Sequence, residues 1–297
     1  MGQNSTTEDR GAGTTRSRSP RREVRMEFAA ASDAGRVRGN NEDHYAVARI
    51  GRSFRLLDAN LPAGDLPEQV DEVAYGMVVA DGMGGMAAGD RASRLAIRTG
   101  VGLVLDSPRW ATRIDEEEAR LLIERLHDYF RQVDRAVIGE GRAEAQLQGM
   151  GTTLTLAYSV GVDLFIVHVG DSRAYLYRRG RLEQLTSDHT MARKLAEVGE
   201  IHPDEVHRHA SRHLLTNYVG GPNLGVEPEV VTLALEDGDR LLLCSDGLTE
   251  MVADAEIARI LGDSATPDDA ARSLVRRANE QGGRDNITVI VARFEVA

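Results

Sequence analysis

Apolar positions along this chain recur at two periods, and the two kinds of segment occur in blocks. Short apolar runs bounded by Gly, Asn, Asp and Pro predict strands at 26–30, 45–47, 75–80, 152–158, 164–169, 174–177, 181–185, 229–235, 240–246 and 287–294. Apolar residues three and four apart predict helices at 87–105, 115–139, 191–198, 254–261 and 267–280. In the clearest of these, Leu122, Leu126, Tyr129, Val133 and Val137 share one face, and Asp115 to Glu118 favour its N-terminus. Residues 58–73, with Pro62, Gly64 and Pro67, predict a surface loop. The links within 152–185 are short, as between antiparallel neighbours, so this stretch is expected to be a meander. Asp237-Gly238 is likewise expected to turn 229–235 into 240–246. Antiparallel strands grouped around long helices, without strand–helix alternation, predict a layered α+β domain.

Residues 1–25 stand outside this pattern. They are Ser, Thr, Gly and Arg with almost nothing apolar, which cannot repay the entropy of ordering, so a disordered tail is expected ahead of one domain at 26–297. No run approaches the ~18 apolar residues of a membrane span, and the polar start lacks a secretory apolar segment. The formal net charge of -11 argues against a nucleic-acid binder. The single cysteine, Cys244, excludes an internal disulfide and a thiolate zinc cluster, and inside an apolar strand it reads as a small core residue. A cytoplasmic monomer without a membrane partner is the resulting expectation. Since the chain closes at Ala297, just after the last strand, no appended sensor or anchor is expected.

Asp81-Gly82 and Asp246-Gly247 each follow an apolar run, more than a hundred residues apart. If the two strands share a core, two carboxylates meet at its rim, and such a pair repels itself unless a proton or a cation intervenes. Asp43, Asp171 and Asp285 also lie near apolar strand ends beside Gly or Asn. Each acid alone reads as a turn former. Five together read as oxygen ligands for hard cations such as magnesium or manganese. Arg38, five residues before Asp43, has a planar fork suited to phosphate, although an Arg in a polar loop is usually a surface residue. His202, His207, His209 and His213 lack the paired pattern of a zinc site, and His168 reads as a core histidine.

Seven short motifs occur in order: Arg38-Gly39-Asn40-Asn41-Glu42-Asp43, Asp81-Gly82-Met83-Gly84-Gly85, Gly151-Thr152-Thr153, Gly170-Asp171-Ser172-Arg173, Leu185-Thr186-Ser187-Asp188-His189, Ser245-Asp246-Gly247 and Asp285-Asn286-Ile287-Thr288. Together they resemble the type 2C metal-dependent serine/threonine protein phosphatases, especially the compact bacterial members. The resemblance covers about 26–296 and implies a four-layer α-β-β-α sandwich with two manganese or magnesium ions at one end, and a third, weaker ion in bacterial members. It implies that Asp81 bridges both ions, that Asp43 and the Gly82 carbonyl are ligands, that Asp246 and Asp285 complete the other shell, and that Asp171 and Asp246 serve the third ion. Arg38 would bind the substrate phosphate, Glu42 would order water at the ions, and Asn286 and Thr153 would be supporting positions. Segment 188–225 matches the flap that helps set substrate access.

Two positions depart from the family. Met83 stands where animal members carry a candidate acid for the leaving alkoxide, so that proton has no assigned side chain and metal-bound water is the alternative. Met86 replaces a His common in bacterial members. The implied activity is hydrolysis of phosphoserine and phosphothreonine on proteins, by metal-activated water and without a phosphoenzyme, opposing Ser/Thr kinases. The alternatives are a catalytically silent phosphoprotein-binding relative and a phosphoesterase for small phosphoesters.

Overall fold

In the computed structural model, which describes residues 23–62, 64–84, 88–107, 116–221 and 225–297, two antiparallel sheets lie face to face with helices outside. The elements begin with β1 (Val24–Asp33), β2 (Asp43–Arg55), β3 (Gln69–Met83), α1 (Ala88–Leu105), α2 (Glu116–Ala143), β4 (Gly151–Thr152), β5 (Leu154–Val160), β6 (Asp163–Val169), β7 (Arg173–Arg178) and β8 (Arg181–Gln184). They continue with α3 (Met191–Glu197), β9 (Glu229–Ala234), β10 (Arg240–Cys244), α4 (Asp246–Thr249), α5 (Asp254–Asp263), α6 (Pro267–Glu280) and β11 (Ile287–Val296). One sheet has the order β1-β11-β10-β7-β8; the other runs β2-β3-β5-β6-β9, with β4 beside the end of β3.

The central strands bury both faces, which is why they read as continuous apolar runs. Side chains alternate across a strand. On β10, Leu241 and Leu243 enter the space between the sheets with Met77, Val79, Ile166 and Phe294, while Leu242 and Cys244 pack against the layer that includes Leu261 and Leu274 from α5 and α6. On the other sheet Ala80 and Leu154 lie under Ala92 and Ala96 of α1 and Leu126 and Val133 of α2. The expected four-layer sandwich is therefore present. Among the described residues no helix is long and apolar enough to cross a membrane.

The expected meander is not formed as one unit. β5 and β6 pair, but β7 pairs with β10 and β8 in the opposite sheet, so the chain changes sheets at Gly170-Asp171-Ser172. Gly170 makes that change at φ +111°, where a Cβ would stand 2.6 Å from the Thr153 side chain. The turn at Asp237-Gly238 also crosses between sheets, since β9 pairs with β6 and β10 with β7 and β11. A short polar link looks the same in sequence whether it folds back within a sheet or passes to the next. The expected loop 58–73 is shorter, because the β2–β3 ladder extends to Arg55 opposite Gln69. The tail up to residue 22, Met86 and Asp115 lie outside the described residues.

Candidate metal centre

Strand pairing brings the first two acids together. β2 and β3 are in register so that Asp43, the first residue of β2, stands opposite Asp81. Asp81 is not the end of its strand, because β3 continues to Met83 and pairs Gly82 with Thr152 of β4. Three bonds fix its backbone. Its N–H donates to Thr153 Oγ1 at 3.0 Å. Its carbonyl accepts from Thr152 Oγ1 at 2.8 Å and from the Thr153 N–H at 2.9 Å. Thr153 Oγ1 also meets Ser172 Oγ at 2.7 Å, next to Asp171, which gives this predicted supporting position a physical role. Gly82 lies against the first turn of α1, where a Cβ would be 2.1 Å from the Gly89 carbonyl oxygen and 2.8 Å from that of Glu42.

The opposite sheet supplies Asp246 and Asp285. Asp246 opens α4 instead of ending β10. Ser245 before it is held to β11 from both sides: its N–H donates to the Thr288 carbonyl, and its Oγ accepts from the Thr288 N–H, each at 3.0 Å. The same hydroxyl donates to Asp43 Oδ2 at 2.6 Å, linking the two sheets across the site. Asp285 precedes β11, and its Oδ2 accepts from Arg38 Nη2 at 2.6 Å. Asn286 secures the loop that carries Arg38, Glu42 and Asp43. Its Oδ1 accepts from the Glu42 N–H at 2.8 Å, and its Nδ2 donates to the carbonyls of Asn40 at 2.8 Å and Ala34 at 3.1 Å.

Burial, and after it concentrated negative charge, sets the electrostatics. Burial, followed by Asp43, Asp246, Asp171 and Asp285 in that order, pushes the Asp81 carboxyl well above the ordinary range. Asp246 is pushed well up by burial, then Asp171, Asp285 and Asp43. Burial and the neighbouring Asp188 raise Asp171 to about 7. Burial raises Asp43 to about 6 against the hydrogen bonds that favour its charge. Glu42 is raised chiefly by burial. All ten residues singled out from the sequence thus belong to one end of the sandwich.

Among the described residues no three acidic, imidazole or thiol groups close on a common point. Two of the acids lean on other partners, Asp43 on Ser245 and Asp285 on Arg38. The donor set nevertheless fits hard divalent cations. It is all oxygen, it is mutually repulsive, and Asp43 Oδ1 is buried without a hydrogen-bond partner. Ser245, Asp188 and Glu250 were missed as contributors. Ser245 and Asp188 lie inside quoted motifs, whereas Glu250, four residues past Asp246 and one turn along, carried no signal of its own.

The protein phosphatase 2C family model matches residues 59–287. The serine/threonine protein phosphatase PstP of Mycobacterium tuberculosis is 37% identical over 268 residues, which are 90% of this chain. The chain belongs to the protein phosphatase 2C family. It spans 45% of the length of that PstP, and 94% of the serine/threonine phosphatase stp of Listeria monocytogenes, to which it is 35% identical. The crystal structure of the PstP catalytic domain, described as in complex with two manganese ions, superposes with a TM-score of 0.70 at 34% identity, covering 92% of this chain and 100% of that one. The 2C family fold thus accounts for the sandwich.

Proposed function

We propose that this chain is a metal-dependent protein serine/threonine phosphatase. The observation that carries the reading is the clustering of Asp43, Asp81, Asp171, Asp246 and Asp285 from both sheets beside Arg38, in a member of the 2C family. Asp81 would serve both ions of a manganese or magnesium pair, with Asp43 and the Gly82 carbonyl as ligands of one and Asp246 and Asp285 of the other. Asp171 with Asp246 would hold a third, weaker ion. Bound ions supply a water of lowered pKa and positive charge against the phosphoryl oxygens.

The remaining roles belong to side chains. Arg38 is only loosely enclosed, at 57% side-chain exposure, and its planar fork, which rests on Asp285, would suit two oxygens of a substrate phosphate. Glu42 stands on the same loop, anchored by Asn286, to orient water toward phosphorus. Met83 stands in β3 opposite Gly151, so no side chain at that place protonates the leaving alkoxide. The mycobacterial and listerial relatives support a substrate class of phosphoserine and phosphothreonine proteins, with the kinases that modify them as functional counterparts.

The test is phosphate release from a phosphothreonine peptide with manganese, magnesium or chelator, beside Asp246→Asn. Release that needs metal and falls at least a hundredfold in the variant is expected, about the effect of removing a group that stabilises transition-state charge. Full activity in the variant would sink the assignment. Manganese binding without release would favour the silent binding relative.

A further inference from the structure

Asp171 and Asp246 belong to the carboxylate cluster and also form one end of a cleft of ≈ 510 Å³. The cleft adjoins the carboxylate cluster, because Asp171 and Asp246 belong to both. Its walls come from β7, the strand end at Gln184 and the segment after it, α3, and the turns at 203–212.

The charges on those walls divide into committed and available groups. Arg173 is committed: it grips Asp188 with two prongs, Nε to Oδ1 at 2.8 Å and Nη2 to Oδ2 at 2.6 Å. Arg193 and Arg212 are held loosely. Arg193 lies 3.6 Å from Glu197 on its own helix, and Arg212 lies 3.7 Å from Glu250, both beyond hydrogen-bond distance. Both remain substantially exposed, at 44% and 34%. Each of the two faces one glutamate, Glu197 and Glu250, and of these only Glu250 lines the cleft.

We propose that this cleft receives the polypeptide flanking the phosphorylated residue, and that Arg193 and Arg212 select acidic side chains in that flank. The inference rests on the phosphatase reading above. A flexible guanidinium with a weak partner exchanges that partner for a substrate carboxylate at little cost, whereas the Arg173–Asp188 pair does not. Basic flanks meet two like charges at the same places.

The experiment compares phosphothreonine peptides of equal length with acidic, neutral or basic flanks, using the full chain with manganese, and nitrophenyl phosphate as a reference without flanks. The expected order of kcat/KM is acidic, neutral, basic, with steps of about threefold to tenfold, as for partly exposed ion pairs. Arg193→Glu with Arg212→Glu is expected to reverse the order, and the milder Arg193→Gln with Arg212→Gln to level it. Equal rates on the three peptides by an active wild-type protein, or an acidic preference that survives in a folded double variant of either kind, overturns the inference. Absence of manganese-dependent turnover of every substrate, nitrophenyl phosphate included, overturns the phosphatase reading instead.

Discussion

His168 carries a prediction that belongs to one residue. Its Nε2–H donates to the Gly170 carbonyl at 3.0 Å, its Nδ1 accepts from Thr155 Oγ1 at 2.8 Å, and its ring stacks 5.0 Å from that of His189. Burial, followed by His189, lowers its pKa from 6.5 to about 3. A histidine depressed by folding contributes stability that is complete above 6.5 and is lost as pH falls towards 3. In urea unfolding across this range, the stability gap between wild type and His168→Gln is expected to shrink as pH falls from about 7 to about 4. A constant gap would refute the assignment. His168 could be read as a core residue because its apolar neighbours declared a buried strand. The partners of Ser245 could not, since Asp43 is 202 positions away and only the packing of the two sheets joins them.

At the scale of elements, the loop from β1 to β2 is positioned by the start of β11. Asn286 satisfies one N–H and two carbonyls in that loop, so Asn286→Ala leaves three polar groups without their partner. The variant is expected to lose about 2–4 kcal/mol in chemical denaturation and to raise KM for phosphopeptide as Arg38 loses its footing. An unchanged KM would separate the loop from substrate binding. The helices were readable because their periodicity is local, as for α6 at Pro267–Glu280. The sheet assignment of β7 and β9 was not. Each has the composition of a buried strand, and nothing in Gly170-Asp171-Ser172 or Asp237-Gly238 states which sheet follows. Asp246 was misplaced for a related reason: the residue after a strand becomes a helix start only when Ser245 is held against Thr288.

For the whole molecule, two sheets meet at an end where their acids repel. Raised carboxyl pKa values make the metal-free fold lose stability as pH rises through them, from about 6 at Asp43 to about 7 at Asp171. Asp81→Asn removes the acid whose charge all four of the others oppose. With chelator at pH 8, the variant is expected to melt about 2–4 °C above wild type, and added manganese is expected to stabilise wild type alone. A variant less stable than wild type without metal would contradict the repulsion. The topology of the sandwich also bears on synthesis. β11 follows the other described strands in sequence yet lies between β1 and β10, and it positions Asp285, Asn286 and the anchor for Ser245. While a ribosome still holds β11, the first strand has no neighbour in its sheet, and Asp285 and Asn286 are not in place. The carboxylate cluster is therefore complete only once residues 285–296 have been made.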